Sequence, residues 1–297
     1  MSDFWIILTG VLVALSCGLL GVFLILRKMA MVGDAISHAV LPGIVIAYLI
    51  AQSRSAIVML IGAAAFGLLT TFMIEWFYRR ARIQADASIG ITFTWLFAIG
   101  VILVSLYTGN VDLDQECVLY GDISYIPFNL LWIGKNAFGP VSIWLQGGNL
   151  VLVILGIIFG FRGLFITSFD AGFAGGLGIK TGVWHYLLMG AISLTVVLSF
   201  NAVGAILVVA FLVVPPATAY LVSKKLTTML WLTSFFGTAS AVSGFYLATW
   251  WKASISGSMA VAAGIIFTGV FIGVRIAILL RQKKMVRNYR WKAQGTN

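Results

Sequence analysis

A chain of 297 residues that is 61% hydrophobic, 9% charged and has a mean hydropathy of +1.05 is not a soluble domain, in which about a quarter of the residues would carry charge. A net charge of +10 does not point to nucleic acid, because the 19 basic residues fall in short clusters at the ends of apolar runs. Runs of about 20 apolar residues are long enough to cross a bilayer as helices, whereas the strands of a membrane barrel alternate apolar and polar residues.

In chain order, nine runs are candidate spans: 5–26, 34–50, 56–78, 88–107, 150–165, 184–200, 202–222, 229–251 and 256–280. The fold expected is all-α, a polytopic integral membrane protein of eight or nine transmembrane helices in one domain over 1–297. No basic leader or cleavage site follows Met1-Ser2-Asp3-Phe4, so the first run is expected to stay as a span. Arg27 and Lys28, then Arg79, Arg80 and Arg82, then Arg162 and Lys180, then Lys224 and Lys225, then the basic tail fall in alternate loops, which makes those loops cytoplasmic. The intervening loops carry only Arg54, Lys135 and Lys252. The longest of them, 108–148, holds Asp112, Asp114, Glu116 and Asp122 and is expected to face outward, with the N-terminus outside and the C-terminus inside. Its apolar part, 125–132, reads as a surface segment or a partial re-entrant helix. Cys17 and Cys117 form neither a C-x-x-C pair nor a disulfide framework.

The chemistry concentrates at Gly33-Asp34-Ala35-Ile36-Ser37-His38-Ala39-Val40-Leu41-Pro42-Gly43. Residues i and i+4 share a helix face with Cβ atoms roughly 6 Å apart, so Asp34 and His38 can grip one cation. At about 1.5 Å per residue, His38 lies about 15 Å beyond Lys28, near the bilayer midplane. An ionised Asp in a span costs roughly 2.5–3.5 kcal/mol on insertion scales, so it must face protein, water or an ion. Carboxylate oxygen with imidazole nitrogen suits Mn²⁺, Fe²⁺ or Zn²⁺ better than Mg²⁺ or Ca²⁺. The competing reading is a structural Asp–His hydrogen bond between helices. Two ligands are too few for a complete shell, so a symmetry mate or a second subunit is expected to add others.

Pro42 beside the pair, and Pro215-Pro216 in the seventh run, are candidate kinks or gate elements. The acidic residues of the outer loop could attract cations or dock a delivery protein. Their Asp-x-Asp-x-Glu spacing lacks the glycine and terminal Glu of a calcium loop. The inner stretch 167–182 is short and rich in glycine. Its Gly172 to Thr181 fails the phosphate-loop pattern because Ile179 separates Gly178 from Lys180-Thr181. Asp170 instead begins a short helix as an N-cap, with Phe173 suited to a partner surface. There is no H-E-x-x-H motif and no G-x-S-x-G elbow, which leaves no ground for an enzyme. Gly18, Gly21, Gly62, Gly67, Gly90 and Gly100 are expected to allow close helix packing.

Taken together, Gly33 to Gly43, Asp86-Ala87-Ser88-Ile89-Gly90-Ile91, Phe169-Asp170 to Gly178-Ile179, and Ala202-Val203-Gly204 through Pro215-Pro216-Ala217-Thr218-Ala219 resemble the permease subunit of manganese, zinc and iron ABC importers, along essentially the whole chain. The resemblance implies a type II import permease in the bacterial plasma membrane. It implies a dimer of permeases (a homodimer, or a pair with a paralogue), two cytoplasmic ATP-binding subunits and an extracytoplasmic metal-binding protein. It carries the metal route onto Asp34 and His38, and the coupling helix onto Asp170, Phe173, Ala174 and Gly178. The ion is cargo, and no resident cofactor and no nucleic-acid partner are implied. Members commonly have eight spans. The acidic outer segment looks like the manganese-type branch. The rival classes are a secondary divalent-cation transporter coupled to protons through Asp34, and a membrane scaffold without transport.

Overall fold

The computed structural model describes residues 2–52, 56–107, 123–128, 130–133 and 136–294. Its helices are α1 (Ser2–Leu26), α2 (Val32–Ala51), α3 (Ala56–Arg80), α4 (Ala85–Tyr107), α5 (Val141–Phe169), the short α6 (Ala171–Gly176), α7 (Thr181–Val203), α8 (Ala205–Val222), α9 (Leu226–Trp251) and α10 (Ile255–Gln294). Eight of these are long and apolar enough to cross a membrane. They match the expected runs except that α5 begins at Val141, so residues 141–148 belong to a helix and not to the outer loop, and that α10 continues beyond 280 to Gln294.

The long helix outside that set is α9, whose Thr227, Thr228, Thr233, Ser234, Ser240 and Ser243 dilute its hydropathy. It nevertheless lies antiparallel along α1, with Thr233 at Gly18, Gly237 at Ala14 and Ala241 at Gly10. Twenty-six residues at about 1.5 Å each make about 39 Å, enough to cross the same layer as α1. The hydroxyls of Ser234, Ser240 and Ser243 each bond a carbonyl one turn back, so they are satisfied within the helix.

Two sets of contacts fix the ends of the bundle. The Arg27 side chain meets Thr167, Ser168 and His185, which brings the C-terminal ends of α1 and α5 and the N-terminal end of α7 to one face. At the opposite face the Ser256 hydroxyl donates to the Val203 carbonyl at 2.9 Å, and Gly139 lies against the Trp5 ring. With α9 as a crossing helix, Arg27, Lys28, Arg80, Arg82, Lys180, Lys224 and Lys225 all collect at the first face.

The outer segment is not a re-entrant helix. A 3₁₀ turn, Ile123–Phe128, leads into an antiparallel hairpin of β1 (Leu130–Ile133) and β2 (Asn136–Pro140), paired Trp132 to Ala137 and Ile133 to Asn136. Pro127 lies within this short 3₁₀ segment of six residues, which suits a residue without an N–H better than a continuing α-helix would. Ile123 and Ile126 bury their side chains in the bundle. Asp112, Asp114, Glu116 and Asp122 lie outside the described residues.

The core is built around α1, whose span is 67% buried against 6% for that of α10. Val13, Ala14, Cys17 and Phe23 of α1 are sealed by Ile192 of α7 and by Leu207, Val208 and Phe211 of α8. Between α2 and α3, Gly43 and Gly62 face each other so closely that a Cβ on either would strike the other's carbonyl oxygen. Gly18, Gly21, Gly67 and Gly100 are likewise crowded by neighbouring helices, as expected, but Gly90 has open space around it.

Candidate functional site

Helix α2 positions the first candidate pair. Half of its residues are buried within the chain, and residues 31, 34, 38, 41 and 44 form a less-covered stripe at spacings of three and four, the repeat of one helix face. Asp34 and His38 lie on that stripe, about one-third exposed each, with Nε2 of His38 3.5 Å from Oδ1 of Asp34. The His38 ring is flanked by Phe93 and Phe97 of α4, with centroids at 6.0 and 5.6 Å. These rings wall one side of the pair with hydrocarbon and supply no competing donor. The pair is therefore open on one side and dry on the other.

The helix carrying the pair begins at Val32, two residues before the expected run 34–50. Residues 27–31 form a turn rather than helix, with Lys28 at φ +59°. His38 is the seventh residue of a 20-residue helix, about 9 Å along a length of about 30 Å, so it lies about 6 Å from the middle, on the side of the basic face. Pro42 is buried, and α2 runs through it unbroken, with Gly100 of α4 making room for the ring. Lacking an N–H, Pro42 removes the regular helical donor from the His38 carbonyl. Pro215 and Pro216 are also inside a continuous helix, α8, where the carbonyl deprived by Pro216, that of Leu212, abuts Gly21.

An oxygen and a nitrogen 3.5 Å apart have the separation of two ligands that each bind a common ion at about 2.1 Å with an angle of about 110°. Such an ion would replace the proton shared by the two side chains, and His38 would have to be neutral, with its lone pair on Nε2. Among the described residues no third His, Cys, Asp or Glu joins the pair. Ser37 is not available either, because it is buried and donates to the Gly33 carbonyl.

The second candidate is the segment between α5 and α7. The Asp170 carboxylate accepts a hydrogen bond from the Phe173 N–H at 2.9 Å, the N-cap expected from the sequence. At the other end Ile179 N–H bonds Ala174 O and Gly178 N–H bonds Gly175 O, both 3.1 Å, with Gly178 at φ +77°. This is a Schellman turn, and its left-handed position accounts for the glycine. Ala174 is fully buried and anchors α6 to the bundle, whereas Phe169, Phe173 and Leu177 stand at least half exposed on the basic face. Asp170 and Gly178 thus shape the segment, Ala174 seats it and Phe173 is presented outward.

A third group went unnoticed in the sequence. Glu75, in α3, is 2% exposed, and its Oε2 lies 2.7 Å from Nε2 of His185. The Arg27 guanidinium reaches Ser168 Oγ through Nε at 3.0 Å, Thr167 Oγ1 through one terminal nitrogen at 3.0 Å and His185 Nδ1 through the other at 3.1 Å. A guanidinium can only donate, so Nδ1 of His185 accepts and the ring proton sits on Nε2, on the side of Glu75. Burial pushes the Arg27 guanidinium down to about 10, partly opposed by the charge of Glu75, and it remains protonated at neutral pH. A cavity of about 320 Å³ opens beside this cluster. The one sequence signal for it was an acidic residue inside an apolar run.

A helical membrane bundle with an acid–imidazole pair in one span and a capped helix projecting between two others is the architecture of a transport permease. The chain belongs to the ABC 3 transport family, whose model matches residues 3–274. It is 49% identical over 268 residues, 90% of each chain, to the manganese transport system membrane protein MntD of Bacillus subtilis (strain 168). It is 38% identical over 267 residues, 90% of this chain and 72% of the relative, to the zinc transport system membrane protein TroD of Treponema pallidum (strain Nichols). Among solved structures it is similar to PsaBC from Streptococcus pneumoniae in complex with Fab, with a TM-score of 0.73, 32% identity and 90% of each chain covered. It is a multi-pass protein of the cell membrane with an ABC importer permease fold.

Proposed function

We propose that this chain is the membrane-spanning permease of an ATP-driven importer that carries a divalent transition metal, manganese in the first instance, between Asp34 and His38. The observation that carries the proposal is the placement of those two side chains. They stand 3.5 Å apart, a separation that suits two ligands of one ion, on a less-covered stripe of α2, in a family of transport permeases. Manganese is favoured because the relative at 49% identity is named for manganese transport. Zinc is the second candidate, from the relative named for zinc transport, and one carboxylate with one imidazole accepts Fe²⁺ as well.

In this reading the stripe bearing Asp34 and His38 faces a second permease chain, and the same pair from that chain completes the metal's ligand shell. An extracytoplasmic metal-binding protein delivers the ion from the side of the β1–β2 hairpin. The basic face is cytoplasmic, and there Phe173 and Leu177 of the α6 segment enter a groove on each of two ATP-binding subunits. ATP-driven closure of those subunits displaces the segment and exchanges outward for inward access. The chain itself supplies ligands and leverage, and hydrolysis takes place on its partners.

The test is uptake of radioactive Mn²⁺ by proteoliposomes holding the permease and its ATP-binding subunits, with metal-loaded binding protein outside and ATP inside. The proposal expects accumulation that requires ATP and survives an uncoupler of the proton gradient. Uptake that ignores ATP and collapses with the gradient would mark a secondary transporter and overturn the proposal.

A further inference from the structure

We propose that Arg27 is the positioning residue that transmits displacement of the α6 segment to the helix bearing Asp34 and His38. This rests on the importer reading given above and adds to it a defined mechanical joint.

Arg27 holds both flanks of the segment at once. Thr167 and Ser168 immediately precede Asp170, and His185 lies in the first turns of α7, just beyond the segment's other end. A rigid movement of α6 must therefore either carry the guanidinium with it or break three hydrogen bonds. Thr167 is itself fixed, donating to the Gly163 carbonyl as it accepts from Arg27, so the joint grips the frame of α5 and not a freely rotating hydroxyl.

On its other side Arg27 is coupled tightly to α2. It follows the last residue of α1, and six residues separate it from Asp34. The intervening turn is locked by Lys28 N–H to Ile25 O at 3.1 Å, Met29 N–H to Leu24 O at 3.0 Å and Val32 N–H to Met29 O at 3.2 Å, with Met29 buried. Such a turn has little slack, so force on Arg27 reaches the first turn of α2, where Asp34 sits. The cavity beside the cluster, bordered by Lys28, Tyr78, Thr181 and His185, gives the guanidinium room to swing.

Glue between helices would not require this arrangement. A buried ion pair contributes little compared with apolar packing of the same volume, because desolvation offsets the Coulomb attraction. Glu75 compensates Arg27 and, through His185, holds α7 in the same joint.

The experiment uses the complete importer and separates charge compensation from transmission. Arg27→Met alone strands Glu75 in the interior and is expected to impair assembly. The pair Arg27→Met with Glu75→Gln removes both charges and the fork together. It is expected to co-purify with the ATP-binding subunits and to unfold near the wild-type temperature. Its Mn²⁺ uptake per assembled complex should fall at least tenfold, and its ATP hydrolysis should no longer respond to metal-loaded binding protein. Arg27→Lys is the second variant, since an ammonium keeps the charge near Glu75 but cannot span the three acceptors. It should assemble normally with uptake lowered at least fivefold. Wild-type uptake per complex by either the double variant or Arg27→Lys would overturn the role. A wild-type complex that accumulates no metal with ATP would instead overturn the importer reading, and this one with it.

Discussion

Replacing Asp170 with Ala removes one hydrogen bond, and its effect on transport can be worked out from the local structure. Helix α6 has six residues, far below the roughly 12–15 at which an isolated helix becomes even marginally stable in water. Its order depends on the Asp170 cap, the Schellman turn at Gly178 and the burial of Ala174. Loss of an N-cap costs about 1 kcal/mol, which lowers the ratio of ordered to frayed segment by a factor of about five. If the segment must be ordered to engage an ATP-binding subunit, apparent affinity for that subunit falls by up to the same factor. Titrating immobilised permease with the ATP-binding subunit would read the change directly. Asp170→Asn retains an acceptor and should stay within twofold of wild type. Unchanged affinity in the Ala variant, or equal damage from Asn and Ala, would refute the reasoning.

Other substitutions test the packing. Gly43→Leu should prevent assembly, because a side chain there meets the backbone of α3, whereas Gly90→Ala, with open space around it, should leave the thermal midpoint unchanged or slightly raised. Both can be read by fluorescence-detected chromatography after heating. Lys28→Gly should raise that midpoint, since Lys28 holds φ +59° at the end of α1 and glycine adopts that conformation without the cost of about 1 kcal/mol borne by other residues. A lower midpoint would show that the Lys28 side chain contributes more to stability than its backbone strain removes.

Much of the fold is legible in the sequence because a bilayer imposes one simple rule on it. Each apolar run must satisfy its backbone internally, so hydropathy alone marks α1 to α4, α7 and α8 to within a few residues, and the start of α10. The rule weakens where apolarity is diluted or irrelevant. Helix α9 carries hydroxyls that bond its own backbone, so its hydropathy understates its fitness to cross. The start of α5 passes through Gln146 and Asn149, polar residues that are buried and bonded to Leu198 and Thr195 of α7, partners that hydropathy does not register. The apolar stretch 125–132 reads as a surface segment or a partial re-entrant helix, because two short strands leave no periodic signature.

The candidate sites divide along the same line. Asp34 with His38, and Asp170 with Gly178, are local patterns in which the sequence spacing itself fixes the geometry. The Arg27, Glu75, Thr167, Ser168 and His185 cluster draws on four helices separated by up to 158 residues, and no spacing rule brings them together. In the sequence Arg27 is a marker of membrane orientation, and His185 belongs to no motif. Both assignments follow from composition, and both miss the contact that tertiary packing creates.

The most direct test of the central claim uses Mn²⁺ bound to the purified permease with its ATP-binding subunits, with histidine labelled by ¹⁵N and examined by pulsed electron paramagnetic resonance. The chain contains two histidines, so the ligand can be assigned by substitution. The account predicts a nitrogen coupling in the wild type that persists in His185→Gln and disappears in His38→Gln. Bound manganese that keeps its nitrogen coupling without His38, or never shows one, would contradict it.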